Sequence, residues 1–129
     1  TLRQRPNNEK LDDIVKKIRD YSDTLIMADC ANFADAENAV KLGFDFIGTT
    51  LSGYTKETES NAIPYTPDFE LIKQVVEAFG KDIPSIAEGR IWTPEDAKKV
   101  CDLGVFSVVI GSVITRPHHI TRRFVVAIQ

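Results

Sequence analysis

The sequence has little of what would mark a disulfide-rich, membrane-spanning or nucleic-acid-binding protein. Its two cysteines, Cys30 and Cys101, are too few and too far apart to predict a disulfide framework or a metal-binding knuckle. No apolar run approaches the roughly 20 residues that span a bilayer. The formal net charge of −3 gives no reason to expect a nucleic acid or a membrane surface as a partner. We therefore expect a reduced, cytoplasmic environment.

What is present is the composition of a single globular domain over residues 1–129, with 43% hydrophobic and 27% charged residues. Four segments are continuous apolar runs rather than alternating patterns. Such runs are typical of parallel strands that helices cover on both faces of a sheet. The predicted strands are 24–28, 44–47, 83–87 and 106–110.

Five helices are predicted around these strands from apolar residues at helical spacing. Asn7 or Asn8 is predicted to cap the first helix. Thr66-Pro67 and Thr93-Pro94 each predict an N-cap followed by proline at the first helical position. The predicted helices are about 8–21, 33–42, 67–79, 94–104 and 117–128.

Every predicted strand is followed by polar or glycine residues: Asp29, Gly48-Thr49-Thr50, Glu88-Gly89-Arg90 and Gly111-Ser112. Polar groups at several strand ends favour a (β/α)8 TIM barrel over an open sheet, which concentrates its chemistry at one switch point. The chain is about half as long as a typical barrel of roughly 250 residues. We therefore expect an α/β fold that is the C-terminal half of a barrel, strands five to eight, with Thr1–Pro6 left from the loop after strand four.

An internal repeat supports a series of equivalent βα units, and two copies of it are weak evidence. Leu42-Gly43 precedes a strand that ends in Ile47-Gly48-Thr49, and Leu103-Gly104 precedes a strand that ends in Ile110-Gly111-Ser112.

Two carboxylates are the candidate catalytic groups. Glu88 ends an apolar strand and is followed by Gly89 and Arg90, which suggest a shaped turn, so we expect it to move a proton rather than to lie on the surface. Asp29 ends another apolar strand and is a candidate catalytic or orienting group. The alternative for Asp29 is a cap on the next helix.

The last strand end is the candidate phosphate site. Gly111 would let backbone N–H groups approach a phosphate, and Ser112 and Arg116 could bind its oxygens. A plain turn with a cap is the alternative. Tyr54 lies in the longest loop, 51–65, which is either a lid or an unstructured segment. Arg3 could reach an anionic substrate, although a position near the terminus is equally expected to be solvated.

The strand-end segments together resemble a known family, the N-acetylmannosamine-6-phosphate 2-epimerases. Gly-Thr-Thr-Leu-Ser-Gly-Tyr-Thr and Ile-Ala-Glu-Gly-Arg are specific motifs, and the resemblance extends over the whole chain. The matching segments are Thr1–Pro6, Leu25–Asp29, Leu42–Thr55, Ile86–Arg90, Thr93-Pro94 and Ile110–Pro117.

The resemblance implies a (β/α)8 barrel that interconverts N-acetylmannosamine 6-phosphate and N-acetylglucosamine 6-phosphate in sialic-acid catabolism. It implies proton removal and return at C2 without a cofactor or a metal. A small phosphosugar is then the partner, with neither nucleic acid nor membrane, and a homodimer is allowed.

The resemblance also implies roles for individual residues. The acid/base pair of the family is a Lys and a Glu, of which the Glu matches Glu88. The Lys lies on an earlier strand, upstream of Thr1, so we expect these residues alone to be inactive. Asp29 matches the Asp that orients that Lys, Gly111-Ser112 match the turn that faces the phosphate, and Arg116 matches the Arg of a Thr-Arg-Pro segment. We add Gly89, Arg90, Thr50, Tyr54 and Arg3 as candidate substrate-binding residues.

Two alternatives stay open from the residues themselves. Another phosphosugar enzyme with a barrel fold would share the terminal phosphate site but use different chemistry at the other strand ends. A catalytically silent half-barrel that binds a sugar phosphate would also fit, because the Lys of the acid/base pair is not among these residues.

Overall fold

The computed structural model of the protein describes residues 3–129. Thr1 and Leu2, which the sequence assigns to a loop after an earlier strand, lie outside the described residues, as does the side chain of Asn61. The rest of that opening segment ends in one 3-10 turn at Pro6–Asn8. A second 3-10 turn, Glu59–Asn61, interrupts the long loop.

Six α-helices form in the described part of the chain, and side-chain caps set where three of them begin. Asn32, Asp68 and Thr93 each accept a hydrogen bond from the backbone N–H three residues further on. The cap and proline predicted at Thr93-Pro94 are confirmed. The helices are α1 Leu11–Tyr21, α2 Phe33–Lys41, α3 Phe69–Phe79, α4 Pro94–Asp102, α5 Ser112–Thr115 and α6 Pro117–Ala127.

The predicted start of the first helix is wrong. Asn7 and Asn8 have positive φ angles of 59° and 54°, because they form the tight 3-10 turn. A residue in that conformation cannot present its side chain as an N-cap, which requires extended backbone. Lys10 has the extended conformation instead, and α1 begins directly after it.

The predicted start of the third helix is also wrong. Thr66-Pro67 precedes the helix, but the carboxylate of Asp68 accepts the N–H of Leu71 at 3.0 Å and is the N-cap. A carboxylate satisfies a free N–H at a helix start at least as well as a threonine hydroxyl does. A further helix that the sequence did not predict is α5, a single turn that begins directly after Gly111.

Four short strands form one parallel sheet in the order of the chain, as the apolar runs predict. Each strand is shorter than its apolar run. The strands are β1 Met27–Asp29, β2 Phe46–Gly48, β3 Ser85–Glu88 and β4 Ser107–Val109.

Among the described residues, the helices cover one face of this sheet, whereas the continuous apolar runs predict helices on both faces. Ala28, Ile47 and Ala87 point from successive strands into this covered layer and are buried. One core cluster packs α1, α2 and α3 against β1 and β2, and a second packs α3 and α4 against β3 and β4. Ile47 and Val75 are completely buried in the first cluster, and truncating Ile47 to alanine would cost about 2–5 kcal/mol.

Parallel order brings the carboxyl ends of all four strands to one edge. Asp29, Thr50, Glu88 and Gly111 therefore lie along one rim, as the sequence predicts. Four successive βα units of this kind correspond to half of a (β/α)8 barrel, so the predicted fold class is confirmed. Within residues 3–129, none of the helices combines the length and apolar character needed to cross a bilayer.

Candidate active site

A pocket of about 370 Å³ opens on the rim at the carboxyl ends of β2, β3 and β4. This is the edge on which (β/α)8 enzymes carry their active sites. The wall combines one carboxylate, one guanidinium and several small or apolar groups. It consists of Thr50, Leu51, Tyr54, Glu88, Gly89, Arg90, Ile91, Trp92, Val109, Ile110, Gly111, Ser112 and Val113.

Glu88 is held at the end of β3 through its own backbone. The hydroxyl of Thr49, a buried residue, donates to the carbonyl of Glu88 at 3.0 Å and accepts the N–H of Glu88 at 3.1 Å. Both backbone groups of the residue are therefore satisfied by one neighbouring side chain. The carboxylate projects from a fixed point into the pocket.

A hydroxyl joins the two candidate carboxylates. Oγ1 of Thr50 lies 2.9 Å from Oδ1 of Asp29 and 3.2 Å from Oε2 of Glu88. A hydroxyl has one proton, so it cannot donate fully to both carboxylates at once. If Glu88 carries a proton, it can donate to Oγ1 while Oγ1 donates to Asp29. The arrangement accommodates Glu88 both as a carboxylate and as a carboxylic acid.

The turn after Glu88 has an unusual backbone. Gly89 and Arg90 have φ angles of 105° and 55°, and an arginine in the left-handed region is uncommon. The guanidinium of Arg90 donates from Nε to the carbonyl of Thr66 at 2.8 Å and from Nη1 to the carbonyl of Ser52. Contacts to the long loop therefore stabilise this backbone conformation.

The long loop is folded around Arg90 rather than unstructured. The guanidinium lies 5.6 Å from the centre of the Tyr54 ring, within cation–π range. Gly53 has a φ of 77°, and a Cβ there would overlap the Arg90 guanidinium and lie 2.7 Å from Cβ of Ala62. Ser52 donates to the Asp68 carboxylate at 2.5 Å, which ties the loop to the start of α3.

The turn at Gly111 is the open side of the pocket. No described atom lies within 4 Å of a Cβ built on Gly111, so packing within the described chain does not require glycine there. Ser112 is the first residue of α5. The N–H groups of Ile114 and Thr115 already donate to the Gly111 carbonyl at 2.9 Å and 3.0 Å, so those of Ser112 and Val113 are the donors at the start of the helix that face a ligand. The turn therefore offers space and hydrogen-bond donors to a ligand.

Two predicted binding residues lie outside the pocket wall. Arg116 is exposed at the junction between α5 and α6. Arg3 donates to the buried carboxylate of Asp35 at 2.9 Å and lies 3.5 Å from the carboxylate of Glu57. Since Asp35 also accepts the N–H of Ala31 at 3.0 Å, the Arg3–Asp35 pair anchors the opening segment to the loop after β1.

Sequence reasoning missed two kinds of residue at this site. Thr49 was named only as part of a strand end. Its hydrogen bonds to the backbone of Glu88 form only because β2 and β3 are neighbouring strands. Trp92 was not among the predicted site residues. It contacts Tyr65 and His119 edge-on, at 4.8 Å and 5.4 Å between ring centres, and also lines the pocket. The available signal for Trp92 was its position four residues after Glu88, the candidate catalytic carboxylate.

Cys30 follows Asp29 on the rim but is completely buried. Burial raises the pKa of its thiol to about 12, so the nucleophilic thiolate is scarcely populated near neutral pH. Among residues 3–129, no three His, Cys, Asp or Glu side chains cluster as a metal site would require. The described site presents the Glu88 carboxylate at the end of β3 and backbone N–H groups at the start of α5.

Comparisons with known proteins identify the family. A family model described as "Putative N-acetylmannosamine-6-phosphate epimerase" matches residues 1–129. A "Putative N-acetylmannosamine-6-phosphate 2-epimerase" from Enterobacter sp. (strain 638) is 48% identical over 130 residues, which are all of this chain and 54% of that protein. The chain thus spans about half the length of the curated relatives that it matches.

Solved structures agree with this family. The N-acetylmannosamine-6-phosphate 2-epimerase from Clostridium perfringens superposes with a TM-score of 0.86 at 44% identity, over 98% of this chain and 52% of that one. Mandelate oxidase, at a TM-score of 0.64 and 22% identity, covers 81% of this chain and 29% of its own and shows the fold alone. By its sequence motifs, its rim geometry and these matches, the chain belongs to the N-acetylmannosamine-6-phosphate epimerase family.

Proposed function

We propose that this chain supplies one half of the active site of an N-acetylmannosamine-6-phosphate 2-epimerase. The observation that carries the proposal is the hydrogen-bonded series Asp29–Thr50–Glu88, whose Thr50 and Glu88 line the same pocket as the open turn at Gly111. One end of the site can exchange a proton, and the other end can hold an anion. An epimerase that acts on a phosphosugar needs both.

The reaction inverts C2, which is α to the aldehyde of the open-chain sugar. Removing the C2 proton leaves its electron pair in an enediolate, and a proton returned to the opposite face of C2 re-forms the aldehyde with inverted configuration. Glu88 is the group on one face. Since the Thr50 contact accommodates either protonation state, Glu88 can accept the proton in one direction and deliver it in the other.

The second acid/base group acts from the opposite face. The family resemblance assigns this role to a Lys on an earlier strand, which is not one of the four strands described here. Asp29 is its proposed orienting partner, since it is the carboxylate at the outer end of the hydrogen-bonded series.

The phosphate of the sugar binds at Gly111-Ser112. The N–H groups of Ser112 and Val113 at the start of α5 donate to its oxygens, and the absence of a side chain on residue 111 allows close approach. Arg90 contributes positive charge from the pocket wall while its own hydrogen bonds hold the loop. Arg116 and Arg3 remain candidate phosphate contacts in the complete barrel.

A phosphosugar substrate and a cytoplasmic location follow from this proposal. Phosphorylated sugars carry charge and do not cross membranes unaided, so an enzyme that consumes them works where they are made. No nucleic acid or membrane takes part in the proposed reaction.

The test uses a barrel completed by joining residues 1–129 to the preceding half of the Clostridium perfringens epimerase. In D2O, conversion of N-acetylmannosamine 6-phosphate should place one solvent deuteron at C2 of the product, as followed by proton NMR. A panel of other phosphosugars should remain unconverted. If another phosphosugar is converted and this one is not, the proposal fails in favour of a different barrel enzyme.

The chain of 129 residues alone is the control for the second acid/base group. We expect it to form none of the other epimer under the same conditions, because the Lys is not among its residues. Turnover close to that of the completed barrel would contradict the assignment of a two-residue acid/base pair.

A further inference from the structure

Arg90 makes more contacts within the protein than a residue that only offers charge to a ligand requires. Its guanidinium donates from Nε to the Thr66 carbonyl at 2.8 Å and from Nη1 to the Ser52 carbonyl, and it lies 5.6 Å from the centre of the Tyr54 ring. Ser52 and Thr66 lie at the two ends of the long loop, so one side chain holds both ends. All of these residues follow β2 or β3, the two central strands of the sheet.

The backbone of Arg90 has a conformation that other contacts must maintain. Its φ of 55° lies in the left-handed region, which residues with a Cβ disfavour. A residue keeps such a conformation only where the surrounding structure determines it. The two loop carbonyls supply these contacts, so the loop and the turn after Glu88 hold each other in place.

The contact between Arg90 and the loop lies beside the contact between Thr50 and Glu88. Oγ1 of Thr50 is 3.2 Å from Oε2 of Glu88. Two residues further along each segment, the Ser52 carbonyl accepts from Arg90. The segments that carry Thr50 and Glu88 are therefore fastened together directly beyond the point where the hydroxyl meets the carboxylate.

We propose that Arg90 is a positioning residue for the acid/base group. By fastening the long loop to the turn after Glu88, it holds the Thr50 hydroxyl against the Glu88 carboxylate. It acts through these two residues, and this role is separate from the positive charge that it presents to the sugar phosphate. The catalytic part of the proposal rests on the proposed function, whereas the fastening of the loop does not.

Arg90→Lys separates the fastening from the charge. A lysine ammonium keeps the positive charge but lacks the planar fork that reaches two carbonyls. In the completed barrel, kcat for N-acetylmannosamine 6-phosphate should fall about tenfold or more, since a displacement of about 1 Å can cost about 10²-fold. KM should change by no more than about threefold, because the charge is retained.

Arg19→Lys is the matched control. Arg19 also donates to two backbone carbonyls, those of Thr24 and Gly43, at 2.9 Å each. These carbonyls precede β1 and β2 and lie at the end of the sheet opposite the rim. Arg19→Lys should therefore leave kcat unchanged.

Gly53→Ala disturbs the same contacts from the loop without altering Arg90. A Cβ on residue 53 would overlap the guanidinium, so kcat should fall by a factor similar to that in Arg90→Lys. The double variant should be no slower than the slower single variant, because both changes remove one interaction. Gly43→Ala controls for backbone strain: Gly43 has a φ of 74° against 77° at Gly53, but no described atom lies within 4 Å of its Cβ.

Cleavage by trypsin after Lys56 measures the fastening without the reaction. Lys56 is exposed in the long loop, and a loop released from Arg90 opens to the protease more often. In the completed barrel, Arg90→Lys and Gly53→Ala should each raise the initial rate of this cleavage about threefold or more, as followed by mass spectrometry. Arg19→Lys and Gly43→Ala should leave the rate unchanged.

Four results would overturn the proposal. They are an unchanged kcat in Arg90→Lys, a rise in KM alone, additive effects of Arg90→Lys and Gly53→Ala, and equal cleavage after Lys56 with and without Arg90→Lys. A rise in KM alone would mean that Arg90 acts only through its charge. An unmodified barrel without turnover would instead refute the proposed function and the catalytic part of this proposal, while faster cleavage in Arg90→Lys would still show that Arg90 fastens the loop.

Discussion

Thr50→Val removes the hydroxyl between the two carboxylates and keeps a branched side chain of the same shape. The lost contacts are 2.9 Å to Asp29 and 3.2 Å to Glu88. A hydrogen bond to a charged group contributes about 1.5–3 kcal/mol, and a half-buried site belongs near the lower figure. Each 1.4 kcal/mol corresponds to about tenfold in rate, so kcat should fall roughly 10- to 50-fold.

The assay is conversion of N-acetylmannosamine 6-phosphate by the completed barrel, followed by NMR. KM should change by no more than about threefold, because Thr50 positions the acid/base group rather than the phosphate. Thr50→Ser keeps the hydroxyl and should retain most of the activity. Thr121→Val, whose hydroxyl bonds only to the Pro117 carbonyl on α6, is the matched control. An unchanged kcat in Thr50→Val would refute the role of the hydrogen-bonded series.

Three further predictions concern other parts of the molecule. Gly111→Leu should raise KM for the phosphosugar at least tenfold and leave KM for the unphosphorylated sugar unchanged; equal effects would argue against phosphate at this turn. A hydrogen bond from the Ile26 N–H, and next one from the Arg19 guanidinium, lower the pKa of Asp45 below its usual 3.8. The ionised carboxylate therefore stabilises the fold above that pH, and this stabilisation is lost as the pH falls and the carboxylate is protonated. Asp45→Asn should therefore lower the unfolding free energy by about 1 kcal/mol at neutral pH and by less in acid, as measured with urea; a pH-independent difference would contradict this. With a thiol reagent at pH 8, the exposed Cys101 should react quickly and Cys30 only on unfolding, and two fast thiols would contradict the burial of Cys30.

The sequence was sufficient to predict the order of the elements and the rim. Continuous apolar runs that end in polar residues have one reasonable arrangement, a parallel sheet with its carboxyl ends together. Asp29, Thr50, Glu88 and Gly111 followed from that arrangement without knowledge of side-chain contacts. Each residue lies at the end of its own strand, so local information was enough.

The contacts between strand ends could not be predicted in the same way. Thr49 and Glu88 are 39 residues apart, and their pairing depends on the register of β2 against β3. Arg90 was expected to bind substrate, but its guanidinium also donates hydrogen bonds to two carbonyls of the long loop. Competing caps caused the error at α3. Thr66 followed by proline and Asp68 are both good N-cap signals, and they lie only two residues apart.

The most direct test of the account is Glu88→Gln in the completed barrel. The amide keeps the shape of the side chain and its contact with Thr50 but cannot exchange a proton. Epimerisation should fall by about 10² to 10⁴, while binding of the phosphosugar changes by only a few-fold. Exchange of the C2 proton of one epimer with solvent deuterium can persist, because the second group on the opposite face is intact. Turnover near that of the unmodified barrel would contradict the assignment of Glu88 as one of two proton-transfer groups.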